Sequence, residues 1–131
     1  MNADEALFTR KVEGLVAACY ENERPLHGLA GLLDWRFDGA ISDCIRAGAI
    51  SGKAGECVYF PIQRAGALYH LILVGAGTTS APGKREGLPA ATVRALRKNL
   101  DTLKIAEFGL SRQDLGEEIP IDLPTSAWML L

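Results

Sequence analysis

The sequence has few of the residues that carry metal or redox chemistry. Two of its 131 residues are histidine and three are cysteine. Cys19, Cys44 and Cys57 show no C-x-x-C spacing and sit among apolar residues, which is typical of small buried side chains in a reducing compartment. Neither His27 nor His70 has a second possible ligand two to four positions further along the chain. The sequence therefore predicts no metal site, no cofactor and a cytoplasmic location.

Long apolar runs and a strong charge of one sign are also missing. No apolar run approaches 18 residues, and no basic start precedes an apolar segment, so we expect no membrane span and no secretion signal. The net charge is −2, which gives no general attraction to nucleic acid. One segment, 84–104, has six basic residues against two acidic ones. It is either a solvated helix face or a basic docking face for a phosphate or an acidic partner.

The chain is organised around a predicted strand, loop and helix. Its length and its hydrophobic share of 48% fit one globular domain over residues 1–131. The apolar run Tyr69–Gly77 is bounded by glycine and predicts a strand that is buried on both faces. After a polar loop, Val93, Leu96 and Leu100 recur at helical spacing, so a helix opening near Pro89 should pack back on the sheet.

Further elements can be predicted on both sides of this segment. The elements are a buried strand over Gly14–Tyr20, a helical pattern over Leu29–Ala47, a short strand over Glu56–Pro61 joined by a turn at Ala65–Gly66 to the central strand, a strand within Ile105–Leu110, and a last helix from Ala127. Within the helical pattern, Trp35 and Phe37 are expected to pack in the core, and Asp34 could cap a fresh turn.

The loop after the central strand is the candidate binding site. Its glycines fail the dinucleotide fingerprint, because position 80 is serine, and both Gly-Lys pairs fail the P-loop pattern. What remains is a glycine- and hydroxyl-rich loop at a strand end, where free backbone N–H groups would face a ligand. Alternatively, the glycines only turn the chain. The candidate ligand-binding residues are Gly75, Gly77, Thr78, Thr79, Ser80, Lys84 and Arg85.

Several blocks together resemble a known domain. They are Glu23–Leu26, Gly28–Arg36, Gly39–Ser42, Ser51–Glu56, Leu73–Gly77 and Gly83–Glu86, followed by the helix of Val93, Leu96 and Leu100. Their order resembles the N-terminal domain of the leucyl aminopeptidase, or cytosol aminopeptidase, family over about residues 14–110, and most resembles its small bacterial stand-alone versions. The resemblance implies an α/β class with a macro-like three-layer α/β/α fold and a mixed central sheet.

The same resemblance implies a role without catalysis. In full-length members this domain supports oligomer assembly, while a separate C-terminal domain holds two metal ions. That domain's Asn-Thr-Asp-Ala-Glu-Gly-Arg motif is missing here, so we expect no enzyme but an assembly or regulatory module that acts with a protein partner or as a homo-oligomer. The alternative is a macro-like module that binds ADP-ribose or another nucleotide. We expect that the apolar end at Leu131 either packs into a groove or belongs to a domain that continues beyond it.

Overall fold

The computed structural model describes residues 5, 9, 12–104, 107–115 and 128–130. These residues form one five-stranded mixed sheet with the strand order β2-β3-β1-β4-β5. The strands are β1 (Gly14–Tyr20), β2 (Cys57–Arg64), β3 (Ala67–Gly77), β4 (Phe108–Leu110) and β5 (Trp128–Leu130), and the helices are α1 (Gly28–Arg36), α2 (Ala40–Arg46), α3 (Ala90–Leu103) and α4 (Arg112–Leu115).

The strand β1 lies in the middle of the sheet and is parallel to both of its neighbours, β3 and β4. The predicted strands over Gly14–Tyr20 and Tyr69–Gly77 are confirmed, and β2 and β3 form the predicted antiparallel hairpin. However, β2 does not stop at Pro61 but continues to Arg64. It is an edge strand of the described sheet, where the missing N–H of a proline interrupts no ladder.

Helices cover both faces of the sheet and make three layers. Helices α1 and α2 pack through residues such as Leu29, Leu33 and Ile41 against one face. Helix α3 packs through Leu96 and Leu100 against the other face, as its sequence spacing predicts. The predicted α/β/α architecture with a mixed central sheet is therefore confirmed.

The helical pattern over Leu29–Ala47 forms two helices rather than one. The chain breaks between them because Asp38 and Gly39 adopt positive φ angles of 57° and 81°. The Asp34 carboxylate then accepts hydrogen bonds from the backbone N–H of Ser42, at 2.8 Å, and from its hydroxyl, at 2.5 Å. Asp34 does not begin a turn of its own, because it lies inside α1, but its side chain caps the first turn of α2, whose N-cap position is Gly39.

Two expectations about tryptophan are wrong. Trp35 does not pack in the core, because it is 71% exposed, whereas its neighbour Phe37 is buried. On α1 the buried positions are Leu29, Ala30 and Leu33, and a residue two positions beyond Leu33 points to the opposite side of a helix. At the other end of the chain, Trp128 belongs to strand β5 and not to a helix.

Candidate functional site

The candidate site lies where the parallel strands end. Strands β1, β3 and β4 point the same way, so their carboxyl ends meet at one edge of the sheet. The chain places β3 on one side of β1 and then crosses to place β4 on the other. Ligands of open α/β sheets bind in the crevice at such a switch point. The loop after β1, the loop between β3 and α3, and helix α4 surround this edge.

Most backbone N–H groups of the predicted loop are already engaged within the protein. They were expected to be free for a ligand, and for five of the seven candidate residues this expectation is wrong. The hydrogen bonds are Gly75 N to Glu56 O at 2.9 Å, Gly77 N to Gly52 O at 2.8 Å, Thr79 N to Asn22 Oδ1 at 2.9 Å, Ser80 N to Glu86 Oε1 at 3.1 Å, and Lys84 N to Ala81 O at 3.0 Å.

Gly75 is enclosed by neighbouring backbone. A Cβ atom at this position would lie 1.8 Å from the carbonyl oxygen of Lys53. The carbonyl of Gly75 accepts a hydrogen bond of 2.6 Å from the Thr92 hydroxyl, and the same hydroxyl accepts the N–H of Gly55 at 2.7 Å. Gly75 thus joins β3, the loop before β2 and helix α3.

Lys84 and Arg85 have different surroundings although they are adjacent. The Lys84 side chain is 62% exposed and its ammonium lies 3.9 Å from the Glu86 carboxylate. The Arg85 side chain is 8% exposed, and its Nη2 donates to Glu23 Oε1 at 2.9 Å. Its guanidinium also lies over the ring of Tyr20, at 5.2 Å from the centroid. Arg85 therefore holds the loop to the end of β1 rather than facing solvent.

The Glu23 carboxylate accepts hydrogen bonds from residues of two loops. Besides Arg85, its carboxylate accepts the backbone N–H of Gly83 at 2.9 Å and that of His27 at 3.3 Å. Burial alone would raise the pKa of Glu23, but these hydrogen bonds and the charge of Arg85 outweigh it and hold the pKa below its usual value. Glu23 is therefore ionised at neutral pH.

Asp114 approaches Arg85 and the backbone of β1 from the side of strand β4. Strand β4 ends opposite Val16, and beyond that point the Asp114 carboxylate accepts the N–H of Ala18 at 3.2 Å. Its second oxygen lies 3.9 Å from Arg85 Nε. Within the described chain, Arg85 Nη1 and Asp114 Oδ1 are buried and have no hydrogen-bond partner. We call these three side chains, Glu23, Arg85 and Asp114, the buried charge cluster.

The surroundings of Asp114 raise the pKa of its carboxyl group. Burial raises the pKa of Asp114 to about 6, and the nearby charge of Glu23 adds to that rise. The hydrogen bond from Ala18 and the charge of Arg85 oppose the rise without cancelling it. The cluster therefore carries two negative charges and one positive charge at neutral pH.

A second feature lies on the outer side of α1. A groove of about 430 Å³ is lined by Pro25, Leu26, Gly31, Asp34, Trp35, Asp38 and Gly39. Trp35 is one of two exposed large hydrophobic residues among those described, and the other is Leu68 in β3, at 44% exposure. The guanidinium of Arg36 lies 4.6 Å from the centre of the Trp35 ring.

The described residues contain no group of three or more His, Cys, Asp or Glu side chains placed to hold a metal ion. Cys19 and Cys44 are buried and Cys57 is half-buried. Burial raises the pKa of the Cys19 thiol to about 12 and that of Cys57 to about 11, so both stay protonated and unreactive at neutral pH. No helix in the described ranges is both long enough and apolar enough to span a membrane.

Sequence reasoning found Arg85 but missed Glu23 and Asp114. Each acid lies in a polar stretch with no local pattern that separates it from solvated acids. The one available signal is the topology, because both acids follow predicted strands, and the strand before Glu23 is predicted to be buried. The sequence alone could not show which acids turn inward.

Comparison with known families gives a match to most of the chain. The model described as the cytosol aminopeptidase family, N-terminal domain, matches residues 15–109. A comparison with curated proteins gives no significant match.

Solved structures share the fold at low sequence identity. The macrodomain of Mycobacterium tuberculosis DarG has a TM-score of 0.62 and 14% identity, with 91% of this chain and 88% of that chain covered. The macrodomain of Thermus aquaticus DarG has a TM-score of 0.60 and 12% identity, with 95% and 91% covered. A tomato leucine aminopeptidase mutant (K354E) has a TM-score of 0.51 and 19% identity over 76% of this chain, but the match spans only 20% of that chain. The fold is therefore macro-like.

Proposed function

Because the chain belongs to the cytosol aminopeptidase family through that family's N-terminal domain, we propose that it is a non-catalytic assembly module that pairs with a second copy of itself. The observation that carries this proposal is the exposure of Trp35 beside a groove on α1. Tryptophan is enriched among the residues that dominate the energy of protein interfaces.

Burial of Trp35 would supply a large part of the energy of such a contact. A tryptophan that is 71% exposed leaves most of its ring in water. Covering that area would contribute about 3 kcal/mol, at the usual coefficient for buried apolar surface. The groove beside the ring has apolar residues, Pro25 and Leu26, on its wall. It offers a place for the tryptophan of a second copy.

The charges around Trp35 favour pairing between identical surfaces. Arg36 and Asp38, which follow the tryptophan in the sequence, carry opposite charges. Asp38 is 82% exposed, and its carboxylate lies 3.5 Å from Arg64 in a surface ion pair of small energy. In a two-fold dimer the same patch meets itself, so Arg36 of one copy can face Asp38 of the other. A second copy would therefore cover the apolar part of this surface and bring opposite charges together.

We expect Trp35→Ala to weaken self-association at least tenfold, because the ring provides the largest apolar area in the contact. Sedimentation velocity over a concentration series measures the dimer dissociation constant. The melting temperature should change little, since exposed substitutions usually alter stability by less than about 0.5 kcal/mol.

Leu68→Ala is the matched control. It removes an exposed apolar side chain, and because Tyr69 packs toward α1, the adjacent Leu68 points to the other face of the sheet. Its dimer constant should equal that of the unmodified protein. The proposal is wrong if the unmodified protein sediments as a monomer at every concentration, or if Trp35→Ala associates as tightly as the unmodified chain.

A nucleotide-binding role is the other function that the fold allows. The contacts weigh against it, because the N–H groups of Gly75, Gly77, Thr79 and Ser80 donate within the protein. We therefore expect ADP-ribose to leave the melting temperature unchanged. A ligand at 100 times its dissociation constant would stabilise the protein by about 2.7 kcal/mol. A saturable rise in the melting temperature during an ADP-ribose titration would therefore support the nucleotide-binding hypothesis.

A further inference from the structure

The buried charge cluster joins three segments that are distant in sequence. Glu23 lies in the loop after β1, Arg85 lies in the loop before α3, and Asp114 lies in α4. The Glu23–Arg85 contact spans 62 positions. Among the described residues, Arg85 is the side chain that contacts both acids.

The cluster is unbalanced in charge and in hydrogen bonding. Its three side chains are 1%, 8% and 6% exposed, yet one guanidinium faces two carboxylates. One atom of Arg85 and one of Asp114 lack partners among the described residues. A buried charge without full compensation destabilises the arrangement that contains it.

Few other titratable groups face Asp114. From β1 the buried thiol of Cys19 and the phenol of Tyr20 lie nearby, and the Tyr20 hydroxyl accepts the N–H of Glu86 at 2.9 Å. Arg24 follows β1, but its guanidinium donates to the carbonyls of Tyr20 and Glu23. Apart from burial and the hydrogen bond from Ala18, the charges that act on Asp114 are those of Arg85 and Glu23.

We propose that the buried charge cluster is a latch that acid tightens, fastening the loop between β3 and α3 to the end of β1. When the pH falls, one proton from solvent binds the Asp114 carboxylate, and nothing leaves the site. The surplus negative charge disappears, and Arg85 stays paired with Glu23. Opening of the loop exposes Asp114 to water, where it binds the proton less tightly. Proton binding therefore favours the closed loop.

The open fraction of the loop should fall about tenfold between pH 7 and pH 5. This factor follows from linkage, since the pKa of Asp114 is about 6 in the closed state and 3.8 is its ordinary value. Two amides report the opening directly: Gly83 N–H, which donates to Glu23, and Glu86 N–H, which donates to Tyr20. Their hydrogen-exchange protection factors, corrected for the intrinsic effect of pH, should rise about tenfold over this range.

Three variants separate the latch from a general effect of pH. Asp114→Asn cannot take up the proton but keeps an oxygen for Ala18 N–H, so its protection factors should be independent of pH. Glu23→Gln removes the nearby negative charge but leaves Asp114 buried, so the change should become smaller without disappearing. Asp101→Asn alters an exposed acid on α3 and should keep the full tenfold change.

A titration of the unmodified protein needs no variant to fold. The carboxyl carbon of Asp114, followed by NMR, should change its chemical shift with a midpoint near pH 6. A midpoint near pH 4, or protection factors for Gly83 and Glu86 that do not differ between pH 7 and pH 5, overturns the proposal. Retention of the tenfold change in Asp114→Asn also overturns it.

Discussion

Gly75→Ala is expected to destabilise the protein by about 3 kcal/mol or more, because a side chain here has no space. The added Cβ would lie 1.8 Å from the Lys53 carbonyl oxygen, and backbone cannot turn away as a flexible side chain can. Hydrogen bonds to Glu56 and Thr92 fix the strand on both sides of the clash. The free energy of unfolding in urea measures the loss.

Gly77→Ala is the matched comparison for this prediction. Gly77 has a φ of +82°, but nothing lies within 4 Å of an added Cβ. Only the cost of a left-handed conformation applies, about 1–2 kcal/mol. If Gly75→Ala is no more destabilising than Gly77→Ala, the close approach of Lys53 is not what requires glycine at position 75.

Arg85→Met is expected to destabilise the protein by about 3–5 kcal/mol at pH 7, because it leaves two buried carboxylates without their cation. Methionine is unbranched and fills part of the volume of the arginine stem, which limits the loss from packing. The loss should be smaller at pH 5, since Asp114 and Glu23 can then bind protons in the folded variant. Urea unfolding at the two pH values tests both statements.

Lys84→Met provides the control for that substitution. Lys84 is adjacent in sequence, but its side chain is 62% exposed and its partner Glu86 is a surface acid. Its replacement should change the free energy of unfolding by less than about 0.5 kcal/mol at either pH. Equal losses for the two variants would mean that the buried ion pair of Arg85 and Glu23 does not stabilise the fold.

The pH dependence of the unmodified protein follows from the same linkage. The folded pKa of Asp114 is about 6, raised from 3.8, so the folded state binds more protons than the unfolded state between these values. Stability therefore falls as pH rises through 6, by about 1.4 kcal/mol between pH 5 and pH 7. The lowered pKa of Glu23 acts in the opposite direction, but below its unfolded value of 4.5.

Much of the fold could be predicted because its core elements carry their own patterns. The apolar runs of β1 and β3 and the helical spacing of Val93, Leu96 and Leu100 each reflect a face buried in one regular element. The break between α1 and α2 was harder, since Asp38 is not a residue that requires a positive φ. The expectation that Trp35 packs in the core fails because its position on the helix, two residues beyond Leu33, points it to solvent.

By itself the sequence determined the layered α/β architecture, the family and the identity of the loop that follows β3. The tertiary structure decided what that loop does. In the folded protein the N–H groups of Gly75 and Gly77 donate to backbone carbonyls, and Arg85 points inward between Glu23 and Asp114. The physical reason is the distance along the sequence over which each feature is determined. Periodicity records which face of an element is buried, whereas the partner of a charged side chain depends on segments that meet only after folding.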